Sequence, residues 1–220
     1  MGKSVYSLVM DDEIIEAVDR AAYQMGTSRS NLINQILAQQ LSCTTPEMRM
    51  KKVFSQVEQL MAERENFQVQ FQASDAIIYI RSALRYKYRP TVRYTLELYR
   101  NSKPLIGELR VAMRTQSKPL IALLNGFYEC WQYLENALIG GWFPKGVVPA
   151  QSDGSGKYIR QFLTPEGETR STEELAQALS DYIQLFDGAL KLYFAEDEPK
   201  EALSQMERQY RNYMKTGTVL

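Results

Sequence analysis

The chain has 220 residues, 45% of them hydrophobic and 24% charged, with 26 basic and 26 acidic side chains. That length accommodates one or two domains, and that composition excludes a disordered chain. Histidine is absent, which removes imidazole acid–base catalysis, histidine-activated nucleophiles and most transition-metal sites.

Two cysteines, Cys43 and Cys130, stand far apart, so they are expected to be reduced, and without histidine they cannot complete a zinc site in one chain. No P-loop, dinucleotide glycine fingerprint or calcium loop occurs. The chain is therefore expected not to be an enzyme and to need neither metal nor cofactor. No apolar run approaches the roughly 18–20 residues of a membrane span. The N-terminus lacks a basic-then-apolar signal. A cytoplasmic protein without a membrane partner is the expectation.

Val5 to Met10 alternates Val5, Ser7 and Val9 with Tyr6, Leu8 and Met10, the period of a strand. Asp11 occupies a helix N-cap position with acidic residues behind it. Ile14, Ile15, Val18, Ala21, Ala22 and Met25 then recur at helical spacing, and Gly26 suits a left-handed C-terminal position. Thr27, Ser28 and Ser30 offer caps for a second helix with Leu32, Ile33, Ile36 and Leu37 as its stripe. One strand and two helices in about forty residues cannot close a core alone. The segment calls for a second copy of itself.

In order and spacing, residues 3–42 resemble the ribbon-helix-helix family of bacterial and phage repressors, the CopG, Arc and MetJ group. The two-helix junction Met25-Gly26-Thr27-Ser28-Arg29-Ser30 carries the most specific part of the likeness. The resemblance implies a homodimer whose paired strands enter the major groove of double-stranded DNA. It implies base-facing positions at Val5, Ser7 and Val9, with Lys3 nearby, and a dimer core at Tyr6, Leu8 and Met10. It also implies phosphate contacts at Arg29, Ser30 and Ser28, at the start of the second helix. On the base-facing side Ser7 is the main hydrogen-bonding reader, because valine offers only methyl contacts to thymine.

Thr44-Thr45-Pro46 breaks the second helix. Glu47 to Arg64 then repeats Met50, Val53, Phe54, Val57, Leu60 and Met61 at i, i+3, i+4, i+7. This helix either pairs with its mate in a dimer or covers a face of the next domain. From residue 66 to 116 the period falls to two. Phe67, Val69 and Phe71 alternate with glutamines, and Ile78, Ile80, Leu84, Tyr86 and Tyr88 with Arg81, Arg85, Lys87 and Arg89. Arg89-Pro90-Thr91 and Asn101-Ser102-Lys103-Pro104 punctuate further alternating runs, Val92 to Leu98 and Leu105 to Met113. Short connections between such strands describe an antiparallel meander whose apolar face needs helices. Those helices follow over Ser117–Leu138, from Ser171 through Leu190, and over Pro199–Met214. A loop is expected over Trp142–Gly156, a strand over Lys157–Leu163 and a turn at Pro165–Glu168. Ser171-Thr172-Glu173-Glu174 is a capping signature.

The expected fold is α+β, with a ribbon-helix-helix domain (1–46, swapped dimer), a connecting helix (47–65) and an antiparallel meander domain packed with helices (66–220). Between Ile77 and Lys118 there are ten basic residues and only Glu97 and Glu108 as acids. Strand alternation would bring Arg81, Arg85, Lys87, Arg89, Arg93, Arg110 and Arg114 to one face. Arginine forks suit phosphates and carboxylates, so this face would take nucleic acid or an acidic protein partner. Alternatively it pairs with the ten acidic residues of 164–201. Tyr86, Tyr88, Tyr94, Phe127 and Trp131 form either a packed core or a ligand pocket. Three functions fit: a transcriptional regulator with a C-terminal sensing or oligomerisation domain; a plasmid or mobile-element partition or transfer accessory; and a non-DNA interaction protein whose arginine-rich sheet binds RNA or an acidic partner.

Overall fold

The computed structural model describes residues 5–74, 76–87, 89–100, 104–164, 170–196 and 198–220. The chain divides between Arg49 and Met50 into two compact units. In the first, α1 (Asp12–Gln24) and α2 (Arg29–Gln40) pack together. Asp11 takes the N-cap position of α1 in extended backbone but makes no side-chain cap bond. Its carbonyl accepts from Ile14 and Ile15 instead. Gly26, at φ 60°, turns the chain out of α1. The Thr27 N–H then closes on the Ala22 carbonyl at 2.9 Å, which satisfies an end carbonyl of the helix. Ser28 caps α2 by accepting from the Asn31 N–H at 3.2 Å. Thr45 caps α3 (Pro46–Ala62) in the same way, accepting from the Met48 N–H at 3.1 Å. Pro46 sits where its missing N–H costs nothing.

Among the described residues, Val5 to Met10 carry no strand. A ribbon strand takes its hydrogen bonds from a second chain, and a lone chain offers it none.

The second unit is built on a six-stranded antiparallel sheet: β1 (Phe67–Ser74), β2 (Ile77–Ala83), β3 (Thr91–Leu98), β4 (Leu105–Met113), β5 (Ala150–Ser152) and β6 (Lys157–Leu163). The strand order is β1-β2-β3-β4-β6-β5. The first four strands form the expected meander, and β6 returns beside β4 after α4 (Lys118–Ile139) and a 3₁₀ turn (Gly140–Trp142). β5 falls inside the stretch expected to be loop. It makes a short hairpin with β6 through Asp153-Gly154-Ser155-Gly156. The Asp153 carboxylate accepts there from the N–H groups of Ser155 and Lys157. α5 (Thr172–Ala195) opens with the expected capping box: the Ser171 hydroxyl accepts from the Glu174 N–H, and the Glu174 carboxylate from the Ser171 N–H. α6 (Pro199–Thr216) ends the chain's regular structure.

One sheet face is the core. Ile78, Ile80, Val92, Tyr94, Leu96, Leu109, Val111, Tyr158 and Phe162 are fully buried on it. Phe186 of α5 stands over Tyr94 and Tyr158, with ring centroids 6.2 and 5.3 Å away. It also meets Phe127 and Trp131 of α4, each at 5.3 Å. α5 is buried nearly all round, since Ala176, Ala178, Ser180 and Ala189 are closed off as well as its large residues. Such a helix is a central core element rather than a surface one. The helix expected over 47–65 contributes Val53, Phe54, Val57 and Met61 to this core, and so covers a face of the second unit.

One expectation fails here. The alternation through Tyr86 does not continue β2, which stops at Ala83. Instead the Leu84 N–H meets the Pro90 carbonyl and the Arg89 N–H the Tyr86 carbonyl. β3 begins only at Thr91, so a longer β2 would have no neighbour on that side. Of the two readings of the aromatic group the packed core holds: Tyr94, Phe127 and Trp131 are fully buried, and Tyr86 packs edge-on against Phe194 at 5.6 Å. Tyr88 lies outside the described residues, as do residues 101–103 and 165–169 of the two expected turns.

Candidate nucleic-acid interfaces

In the first unit the two helices bury only Ala22, Leu32 and Ala38 among their apolar side chains. Val5 and Val9 are fully exposed, and Tyr6, Leu8, Ile14, Met25, Ile36, Leu37 and Leu41 remain about half exposed or more. Ser7 is exposed beside them. Lys3 lies outside the described residues. At the start of α2 the Ser28 hydroxyl is occupied by its capping bond. Ser30 is exposed, and its carbonyl accepts from the Asn34 side chain at 2.8 Å. The Arg29 guanidinium pairs with Asp19 of α1, with Nη2 2.6 Å from Oδ2. Arg29 is two-thirds exposed, and an exposed pair contributes only about 0–1 kcal/mol. Exchanging Asp19 for another anion would therefore cost little.

On the second unit, alternation leaves an outer sheet face that no described helix of that unit covers. The register places Gln68, Arg81, Arg93, Ala112 and Lys157 in one cross-strand row. The next row runs Gln70, Tyr79, Thr95, Arg110, Ile159 and Gln151. A third holds Ile77, Glu97, Glu108 and Gln161. Gln151, Ile159 and Gln161, with Pro149 and Ala150, line a shallow open depression at the β5–β6 edge.

Of the seven cationic residues expected on one face, the structure brings three together there: Arg81, Arg93 and Arg110. Arg85, Lys87 and Arg89 are exposed in the β2–β3 connection, with Arg89 at φ 44°. Arg114 is exposed just past the end of β4.

Nor, among the described residues, do these arginines meet the acidic segment 164–201. Arg110 pairs with Glu97 at 2.8 Å and with Glu108, both on the sheet itself. Partial burial opposes its charge, but Glu108 and Glu97 outweigh this and hold its pKa above the ordinary guanidinium value. Burial and a hydrogen bond to Glu108 push the neighbouring Tyr99 hydroxyl up to about 12. The acids of α5 pair elsewhere: Glu173 with Lys52, Asp181 with Arg64, and Asp187 with Lys191. The Lys52 ammonium, hydrogen-bonded to Glu173, holds that carboxyl down at about 2.

Sequence reasoning missed a charged network inside the core. Glu135 of α4 and Arg160 of β6 are both completely buried, 3.5 Å apart. Glu135 also accepts from Tyr158 at 3.1 Å, Tyr182 at 3.0 Å and Tyr210 at 3.3 Å. Arg160 donates to the Leu220 carbonyl at 2.6 Å and lies over the rings of Phe143, Phe162 and Tyr182. Burial and the adjacent Glu135 charge drive the hydroxyls of Tyr158 and Tyr182 well above their usual range. The signal was present in the sequence. Arg160 sits between Tyr158 and Phe162 at the buried parity of its strand, and Glu135 follows Trp131 by four residues on the apolar side of its helix.

No protein-family model, no curated protein and no solved structure matches the chain.

Proposed function

We propose that the protein is a homodimeric, sequence-preferring DNA-binding regulator in which residues 5–10 of two chains pair as an antiparallel ribbon. That ribbon enters the major groove of duplex DNA. The sheet unit serves as its sensing or oligomerisation domain. The observation that carries this reading is the first unit's missing core: among the described residues, ten of the fourteen exposed large apolar side chains precede Ser42. Surface of that kind marks an interaction site. Val5, Ser7 and Val9 then read bases while Tyr6, Leu8 and Met10 close the dimer. Ser28, Arg29 and Ser30 hold the flanking phosphates at the α2 N-terminus.

The test combines sedimentation with selection of bound duplexes from a random library. A dimer is expected, and Leu8→Asp is expected to abolish both dimer and duplex binding because it places a charge in the ribbon core. Arg29→Ala is expected to weaken all sequences alike, and Ser7→Ala to relax the selected motif. A folded monomer at micromolar concentration that still binds duplex would overturn the reading.

A further inference from the structure

The outer face of the sheet keeps two arginines whose charge nothing among the described residues answers. Arg81 on β2 and Arg93 on β3 are direct cross-strand partners, and like charges in that position destabilise a sheet. Elsewhere on the same face charges are matched: Arg110 has Glu97 and Glu108, and Lys157 has Asp153 at 3.6 Å. Among the described residues neither Arg81 nor Arg93 has an ion-pair or hydrogen-bond partner. Beside them in the next row stands Tyr79, half-buried on the outer face, two residues from Arg81 along the same strand. Two residues of strand span roughly 6.6 Å. Tyr79 is flanked across the ladder by Gln70 and Thr95.

We infer that this face binds single-stranded nucleic acid. The Arg81–Arg93 pair takes the phosphodiester backbone, since two guanidinium forks side by side supply the donors that phosphate oxygens accept. The Tyr79 ring takes an unpaired base by stacking, an interaction that every base supports. Thr95 offers a hydroxyl that meets base edges as donor or acceptor. A duplex presents no free base face to Tyr79. An acidic peptide neutralises the arginines but leaves the aromatic and amide row idle. The inference does not rest on the N-terminal ribbon, because its residues all belong to the sheet.

The experiment is fluorescence anisotropy on the full chain with labelled oligothymidylate, labelled oligouridylate, a duplex of equal length and a polyglutamate peptide, each as a salt titration. Arg81→Gln/Arg93→Gln is expected to weaken both single strands at least about ten-fold. It should also reduce the slope of log K against log salt by about 1.4, from about 0.7 per lost phosphate contact. Tyr79→Leu is expected to lower single-strand affinity about ten-fold with the slope unchanged, as lost stacking should. Arg29→Ala is expected to leave single-strand binding as it is, which separates this face from the ribbon. A difference between the DNA and RNA strands identifies the natural ligand. If the double variant fails to fold, Arg93→Gln, at an exposed position, carries the same expectation with half the slope change. Single-strand affinity that survives the arginine changes in a folded variant overturns the inference. So does polyglutamate binding as tightly as the oligonucleotides, with Tyr79→Leu without effect.

Discussion

Replacing Glu135 by leucine tests whether the buried charges of the sheet unit act as one system. The substitution keeps roughly the side-chain volume and removes the acceptor for Arg160, Tyr158, Tyr182 and Tyr210 together. Removing one partner of a buried ion pair costs about 3–5 kcal/mol, because the other charge stays desolvated. The orphaned hydroxyls add to that at about 1–3 kcal/mol each where they find no new acceptor. Even about 5 kcal/mol of that is a large part of the roughly 5–15 kcal/mol that holds a domain folded. At about 2–4 °C per kcal/mol, it lowers the melting temperature by about 10–20 °C. Urea titration followed by tryptophan fluorescence is a direct assay. Both tryptophans, Trp131 and Trp142, lie in this unit, and the Trp131 indole donates to Tyr182 at 3.2 Å. The double change Glu135→Leu/Arg160→Met is expected to cost less than the two single losses added, since an apolar pair of similar volume replaces a buried ion pair at small cost. A loss below about 1 kcal/mol for Glu135→Leu, or strict additivity in the double variant, would refute the argument.

The buried tyrosines set a behaviour in alkali. Tyr94, Tyr158 and Tyr182 are held protonated in the folded chain, chiefly by burial, and their pKa values lie above the unfolded value of about 10. Their contribution is fully present below about pH 10 and is lost as pH rises towards the folded values, by about 1.4 kcal/mol per tyrosine per pH unit. Urea midpoints measured from about pH 9 to pH 11 should therefore fall steeply, and a flat profile would contradict the burial of these hydroxyls. Asp187→Ala should cost about 3 kcal/mol in the same assay, because Asp187 alone answers the Tyr94 hydroxyl at 2.8 Å and shares the Lys191 ammonium with Ser82. An unchanged midpoint would mean that Lys191 and Tyr94 reach water once the carboxylate is gone.

What the sequence revealed, and what it hid, follows from the range over which each signal acts. Helix ends are set by residues within a turn of one another, so Gly26, Thr45-Pro46 and the Ser171–Glu174 box were readable from local chemistry. The meander was readable because its strands follow one another through short connections. The end of β2 was not. Tyr86 and Tyr88 keep the alternating pattern, but a strand needs a neighbour, and β3 starts only at Thr91. β5 was hidden for a related reason. Its three residues carry no period of their own, and only pairing of Ala150, Gln151 and Ser152 with Arg160, Ile159 and Tyr158 makes them a strand. Glu135 and Arg160 were overlooked because a charged residue at core parity looks like a break in the pattern until its partner is known.

The charges show the same dependence on tertiary placement. Overall the chain is neutral, with an arginine-rich stretch followed by an acidic one, and pairing the two was a natural expectation. Topology prevents it. α5 lies on the inner face of the sheet, with Phe186 against Tyr94 and Tyr158, while alternation turns Arg81 and Arg93 outward from neighbours of those same positions. Packed layers stand about 10 Å apart, and the buried row between them has no path for an ion pair to cross. The acids of α5 are therefore matched on the helical side, by Lys52, Arg64 and Lys191. On the far side the described strands carry Glu97 and Glu108, and Arg110 takes both. Arg81 and Arg93 are left over by the arithmetic of the layers, not by any shortage of acid in the chain. A charge excess fixed this way can be relieved only by something that arrives from outside the sheet, so whatever binds this face should do so more weakly as salt rises.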